Sequence, residues 1–367
     1  MTEAPTGGRF AGARQTVHWG IGCLEDLPRA LSDSSLHRIT IVTGDSLNRS
    51  ALLGRVRRLI EEVCDVDTWP NARQHCPRSS VNAGVEMVRT VGPASLLAVG
   101  GGSAIDTACA IAAGTGSTSG RIPVIAVPTT FSQAEFTDFV GISEPTGEKL
   151  VARGPDFMPS TVFLDPAQLR ETPAELMITS GVKAIESTIA SIVQGTGGLL
   201  GEPLSQDALA RMITLLPELH DGDEGDLLSF QLAAWTGIYG RFHGPASDPA
   251  GAPTLWLGAA ARHQLGAVTG APHAAISAAL LPHLLEFHER DAYESLVGIA
   301  RRLGLGSVSD LRGRLTELWS RLGLPGSLGA IGISKADVTA AHIGMLNEQT
   351  ELRARSDEIL DFLHSIV

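Results

Sequence analysis

The stretch Ser95-Leu96-Leu97-Ala98-Val99-Gly100-Gly101-Gly102-Ser103-Ala104-Ile105-Asp106 decides the fold. A short apolar run without polar alternation reads as a strand buried on both faces. Three glycines follow, and a small-residue helix is predicted from Asp106 to Ala113. Glycines let the backbone approach a phosphate closely. The helix start behind them offers free N–H groups and the positive end of the helix dipole. Ser103 can cap that helix, and its hydroxyl can also bond a phosphate oxygen. The spacing is not the GxGxxG fingerprint, and a triple glycine alone also fits an ordinary βα turn.

Working outward, Arg38–Thr43, Ile122–Pro128 and Thr161–Leu164 read as further buried strands, and Leu52–Val63 has helical spacing. Strands alternating with helices predict a mainly parallel, doubly wound, Rossmann-like α/β sheet. Ligands sit at the carboxyl ends of such strands. Pro128-Thr129-Thr130 occupies one of those ends, where the two hydroxyls could meet the adenosine or pyrophosphate of a nucleotide, or simply cap the next helix. Asp45, after the Arg38–Thr43 strand, is placed where an acidic group meets a ribose 2′-hydroxyl, and its register leaves NAD or NADP open. Beyond Pro173 the pattern becomes helical, with segments at 173–195, 205–219, 226–242, 254–266, 273–289, 291–303, 309–322 and 335–347. The expected organisation is a nucleotide-binding α/β domain over residues 1–170 and an all-helical catalytic domain over residues 171–367.

The 367 residues suffice for two domains, and 43% of them are hydrophobic. A net charge of −12 argues against a nucleic-acid groove, which needs clustered Lys and Arg. No apolar run is read as long enough to span a membrane. The opening residues lack an apolar signal core, and Cys23, Cys64, Cys76 and Cys109 form no CxxC pair. These features predict reduced cysteines and a cytoplasmic protein.

Taken together, Gly100 to Asp106, Pro128-Thr129-Thr130, Glu135, Thr137, Gly147-x-Lys149, Asp165-Pro166, Ser180-Gly181, His263, Pro272-His273 and Leu281-Pro282-His283 resemble the iron-containing alcohol dehydrogenase superfamily. Gln74-His75-Cys76-Pro77 resembles the His-x-Pro segment of its maleylacetate reductase branch. The resemblance spans about residues 15 to 300 in motif order. It implies a dehydroquinate synthase-like architecture, hydride transfer between NAD(P)H and a carbonyl, commonly a polarising Fe²⁺ or Zn²⁺, and a homodimer. It places Gly100, Gly101, Gly102, Ser103, Asp106, Thr129, Thr130, Thr137 and Lys149 at the nucleotide, and His263 and His273 at the catalytic end of the cleft.

The chain departs from that family where the metal would be held. The family uses an Asp and a His four residues apart on one helix, plus two later histidines. Here Lys183 stands at the Asp position and Ser187 at the His position. Such i, i+4 residues share a helix face. An ammonium repels a divalent cation and a serine hydroxyl is a poor ligand, so no catalytic metal is predicted. Glu186 sits one position off that face. Gln133-Ala134 replaces the family's Gly-Ser, and Cys109 its lysine. The loop Gly244 to Pro253 reads as extra length.

Lys183 could polarise a carbonyl in place of the metal, act as a base or Schiff-base nucleophile, or simply form a salt bridge. His263 or His273 could donate a proton. Arg262 and Lys183 would suit a carboxylate substrate. His243, before the extra loop, is a candidate substrate contact, whereas His283 and His288 read as packing or surface residues. The expected function is a metal-independent, NAD(P)H-dependent reductase of a small carbonyl or keto acid, maleylacetate reductase-like, in specialised metabolism. The alternative is a non-redox enzyme of elimination, isomerisation, condensation or cyclisation, using Lys183 with His263 and His273 as acid and base. A small-molecule substrate is implied, without a nucleic-acid or membrane partner.

Overall fold

A computed structural model describes residues 15–116, 122–195, 198–219, 223–243 and 256–367. The first half holds strands β1 (Thr16–Trp19), β2 (Arg38–Val42), β3 (Asp65–Trp69), β4 (Ser95–Gly100), β5 (Val124–Pro128), β6 (Phe139–Ser143), β7 (Lys149–Arg153) and β8 (Thr161–Leu164). Six of them form one parallel sheet in the order β1-β8-β5-β4-β2-β3, while β6 and β7 pair as a separate antiparallel hairpin. Helices α1 (Leu27–Asp33), α2 (Asp45–Asn48), α3 (Ala51–Ile60), α4 (Arg78–Val91) and α5 (Gly102–Gly114) connect the strands.

Strand alternation explains why both sheet faces are covered. On β4, Leu96 and Ala98 pack into one apolar cluster with α4 and α5 residues such as Val85, Val88, Ile105 and Ile111. Leu97 and Val99 point to the other face, with Leu27, Leu31, Val56 and Ile60 of α1 and α3. A strand apolar on both sides is the only kind this doubly wound arrangement accepts at its centre.

The second half is helical: α6 (Ala174–Val193), α7 (Gly198–Leu215), α8 (Glu224–His243), α9 (Gly258–Thr269), α10 (His273–Phe287), α11 (Tyr293–Arg302), α12 (Val308–Arg321), α13 (Lys335–Glu348) and α14 (Ser356–Ser365). They share a third apolar cluster. The parallel sheet followed by a helix-rich half matches the expected fold class.

Several elements differ from the sequence reading. Helix α5 starts at Gly102, four residues before the expected Asp106, because Gly101 serves as its N-cap and Gly102 is already its first residue. The strands β1 and β3, the β6–β7 hairpin, α4 and α14 were not anticipated. β3 reads Asp65-Val66-Asp67-Thr68-Trp69 and lies at the sheet edge, where polar residues alternate with apolar ones. The expectation that no segment is long and apolar enough to span a membrane is corrected at α6. Its length and composition would allow it, but 78% of that window is buried here, as in a core helix.

Helices α7 and α8 approach closely because glycines face each other: a Cβ on Gly201 would lie 2.3 Å from the Gly240 Cα. Backbone cannot swing aside as a side chain can. Gly201→Ala is therefore expected to destabilise the protein by about 1–3 kcal/mol. Gly54→Ala, whose added carbon meets only the flexible Arg58 guanidinium at 3.3 Å, is expected to be neutral or stabilising by about 0.5–1 kcal/mol. Urea unfolding of the two variants checks the contrast.

Candidate active site

The chain runs from β2 outward to β3, then back past β2 to β4 and on to β5. That reversal opens a crevice at the carboxyl ends of β2 and β4, the usual ligand position in open α/β sheets. Gly100 has φ +149° and tight quarters, since a Cβ there would sit 2.9 Å from the Ala104 Cβ. Cβ atoms on Gly101 and Gly102 would lie 3.0 Å from Thr130 Cγ2 and 3.1 Å from Ser132 Oγ. The glycines thus let the loop after β5 close on the turn. No side chain caps α5, and the buried Thr130 hydroxyl has no hydrogen-bond partner among the described residues. An uncapped helix start beside an unsatisfied hydroxyl fits a dinucleotide phosphate.

The other predicted nucleotide residues are placed less uniformly. The Ser103 hydroxyl accepts the His75 N–H at 3.3 Å and does not cap α5. Asp106 is half-buried in α5. Burial pushes its carboxyl up to about 7, against the opposing fields of Lys149 and Lys183. Thr129 is buried, with its backbone tied to Gly100 and Thr172. Asp45 is exposed at the start of α2 and pairs with Arg49 at 2.9 Å.

Two of the expected nucleotide residues make contacts of their own inside the protein. The Thr137 hydroxyl donates within its own loop, to the Ala134 and Phe139 carbonyls. β7 carries the Lys149 Nζ to 3.4 Å from His273 Nε2. A Cβ on Gly141, opposite on β6, would lie 2.3 Å from the Lys149 Cε, so the lysine lies across a glycine.

Three imidazoles from separate elements meet at this end of the crevice. His273, the first residue of α10, places Nε2 at 3.2 Å from Nδ1 of His75. The His263 ring on α9 is 5.5 Å from that of His273. Burial, aided by Lys149, holds His273 well below the usual histidine range and lowers His75 as well. His263 Nδ1 bonds Glu348 at 2.6 Å, and Gln264 Nε2 bonds the other Glu348 oxygen at 2.8 Å. Burial lowers His263 despite that carboxylate. The loop residue His75 and Glu348 of α13 were not among the sequence-predicted site residues. His75 lay within a quoted motif. Nothing local marked Glu348, which is 85 residues from its partner.

Lys183 and Ser187 are half-buried within the stretch of α6 from Thr179 to Val193, whose other residues are buried. Lys183 Nζ donates to the Ser132 carbonyl and lies 3.4 Å from Gln133 Oε1. Burial, then Arg262, brings its pKa down to about 7. Arg262, expected to suit a carboxylate substrate, has a carboxylate partner inside the protein. Arg262 is buried and bonded to Glu186, which also accepts the Trp256 indole N–H at 2.5 Å. The Arg262 Nη1 also reaches the Ser277 hydroxyl at 3.3 Å, while its buried Nε has no hydrogen-bond partner among the described residues. His288 is a packing residue, stacked on Trp256 and accepting the Leu257 N–H, and His283 bonds the Gly326 carbonyl. The His243 side chain and the loop Gly244 to Pro253 lie outside the described residues.

These donors do not fit a divalent cation. Lys183 brings a cation, Ser187 a neutral hydroxyl, and His263 is engaged by Glu348. His75, His263 and His273 lie near one another, yet among the described residues no three His, Cys, Asp or Glu side chains are placed so that they could hold one metal ion.

The chain matches the family "Iron-containing alcohol dehydrogenase" over residues 15–166 and "Fe-containing alcohol dehydrogenase family, C-terminal" over residues 250–367. Residues 167–249, which carry Lys183 and Ser187, fall between the two matches. Maleylacetate reductase 2 of Cupriavidus pinatubonensis is 31% identical over 78% of this chain and 76% of its own length. Maleylacetate reductase of Burkholderia cepacia is 27% identical over 89% and 87%. The crystal structure of maleylacetate reductase from Agrobacterium tumefaciens, 23% identical, shares the fold with a TM-score of 0.79 over 99% of this chain and 98% of that one.

Removing one partner of the buried Arg262–Glu186 pair leaves an uncompensated charge. Glu186→Ala is expected to cost about 3–5 kcal/mol. The double variant Glu186→Leu with Arg262→Met should recover most of that. Thermal unfolding of the single and double variants checks the coupling.

Proposed function

Because the chain belongs to the iron-containing alcohol dehydrogenase superfamily, in its maleylacetate reductase branch, it is an oxidoreductase of carbonyl and CH–OH groups, and we propose that it is a metal-independent NAD(P)H reductase of a small carbonyl or keto acid. What supports the metal-independent part is Lys183, which the resemblance sets at the family's acidic metal ligand and whose amine donates to the Ser132 carbonyl in the loop after β5. We read the chain as two domains dividing near residue 170, with the reaction in the cleft between them, and as a cytoplasmic homodimer.

In this reading Gly100, Gly101, Gly102, Thr129 and Thr130 hold the dinucleotide, which supplies the hydride when bound. The α5 N-terminus neutralises phosphate charge. Lys183, as the ammonium, lies against the carbonyl oxygen, stabilises the charge that develops there and transfers a proton to it. The histidines are poorer acids, since burial keeps them neutral. They serve as hydrogen-bonding walls for the substrate, with Lys149 beside them. Ser187 lines the same helix face.

Calorimetric titration of metal-stripped protein with NADH and NADPH tests the first requirement. Micromolar binding of either is expected. Binding of neither would transfer the reading to non-redox acid–base chemistry at Lys183, His263 and His273.

Lys183→Met is expected to lower kcat/KM about 10²- to 10³-fold with nucleotide affinity unchanged, and chelators should leave the native rate unaffected. A lysine with a pKa depressed to about 7 carries its charge below that pH and loses it above. If the ammonium acts on the oxygen, kcat/KM should therefore fall as pH rises through about 7. A rate that rises instead would assign Lys183 the role of base or nucleophile.

A further inference from the structure

We propose that His75 is a positioning residue that holds His273 as its Nε2–H tautomer, an inference that rests on the reading of His273 as part of the substrate wall. The assignment follows from pairing. His75 Nε2 faces the Gly270 carbonyl at 3.3 Å. A carbonyl accepts and cannot donate, so this nitrogen carries the proton. The Nδ1 of a neutral His75 is then a bare acceptor, and it faces His273 Nε2 at 3.2 Å. His273 must carry its proton on Nε2 to make that bond, which leaves its own Nδ1 as an acceptor. With His75 protonated on Nε2 and His273 on Nδ1, two lone pairs would face each other at the ring contact; with both rings reversed, the His75 Nε2 lone pair would face the Gly270 carbonyl.

Three further features hold the ring pair in place. His75 and Cys76 are consecutive non-glycine residues in the left-handed region, with φ of 63° and 50°. Such residues cost on the order of 1–3 kcal/mol each and persist only where their surroundings over-determine them. Here the Ser103 hydroxyl accepts the His75 N–H and the Ser143 hydroxyl donates to the His75 carbonyl. The backbone of His75 is thereby anchored to the glycine turn on one side and to β6 on the other. Gly266 then leaves room for both rings, since a Cβ there would lie 2.8 Å from His273 Cδ2 and 3.2 Å from His75 Cε1. Lys149 Nζ lies near the same His273 nitrogen. Without His75 as acceptor, the lysine could donate to that nitrogen and reverse the tautomer.

Two variants separate the acceptor from the backbone. Asparagine tolerates left-handed backbone and places Oδ1 where histidine has Nδ1. Glycine relieves the backbone but removes the acceptor. The whole protein labelled with ¹⁵N-histidine is examined by NMR, with a His273→Gln variant to assign the signals. In the native chain and in His75→Asn, His273 should show a pyrrole-type Nε2 and a pyridine-type Nδ1. In His75→Gly the two signals should exchange character or average. Once a carbonyl substrate is found, kcat/KM should fall three- to tenfold in His75→Gly and return to within twofold in His75→Asn. A native His273 protonated on Nδ1, or a tautomer that does not change in His75→Gly, would overturn the proposal. The NMR result needs no turnover, so failure of the reductase reading alone leaves it intact.

Discussion

The candidate site depends on how the loop after β5 is held. This loop descends on the glycine turn because Gly101 and Gly102 have no side chains to keep Thr130 and Ser132 away. From the other side it is taken by the helical half: the Ser180 hydroxyl accepts the Phe131 N–H, the Thr172 hydroxyl donates to the Thr129 carbonyl, and Lys183 donates to the Ser132 carbonyl. Gln133 completes the turn in the left-handed region, fully buried, with its amide donating to the Ala234 carbonyl. A five-residue stretch therefore fixes the distance between the nucleotide turn and α6. The lysine amine cannot move without disturbing the loop that closes on the glycine turn.

The charges around this loop sort into two kinds. Arg262 and Glu186 neutralise each other in the helical core, together with Trp256, and buried pairs of this geometry act as fixed structure. Lys183, Lys149, Asp106 and Glu135 have no such close ionic partner in the described geometry, and each is shifted by burial toward its neutral form. Perturbed groups of both signs gathered along one cleft are the usual signature of a reaction site.

The central sheet was legible because its strands are apolar on both faces: Arg38–Thr43, Ser95–Val99, Ile122–Pro128 and Thr161–Leu164 all became strands within two residues of the expected ends. The edge elements were not, since β1 and β3 need apolar residues on fewer sides and so lack that signature. At the site, Lys183, His263 and His273 were legible through motif order alone. Their partners were not. Glu186 meets Arg262 across 76 residues, Glu348 meets His263 across 85, and His75 meets His273 across 198. Such pairings are created by the packing of α6, α9, α10 and α13 on one another and on the loop before α4. No spacing in the chain encodes them.

The proposed use of the Lys183 ammonium in place of a metal has an electrostatic logic. A buried lysine with no compensation would lose its proton altogether and contribute little to polarising an oxygen. Here the Ser132 carbonyl accepts from the ammonium, Gln133 Oε1 lies nearby, and the fields of Glu186, Glu135 and Asp106 favour the charged form. Burial and Arg262 oppose them. The opposing influences bring the amine close to neutrality, at about 7. An acid with that pKa loses its proton readily at physiological pH and regains it readily, which is the condition under which proton transfer to a developing alkoxide is most effective. A metal supplies charge without protons to track. A half-protonated lysine supplies charge and proton together, at the cost of a rate that depends on pH through the neutral range.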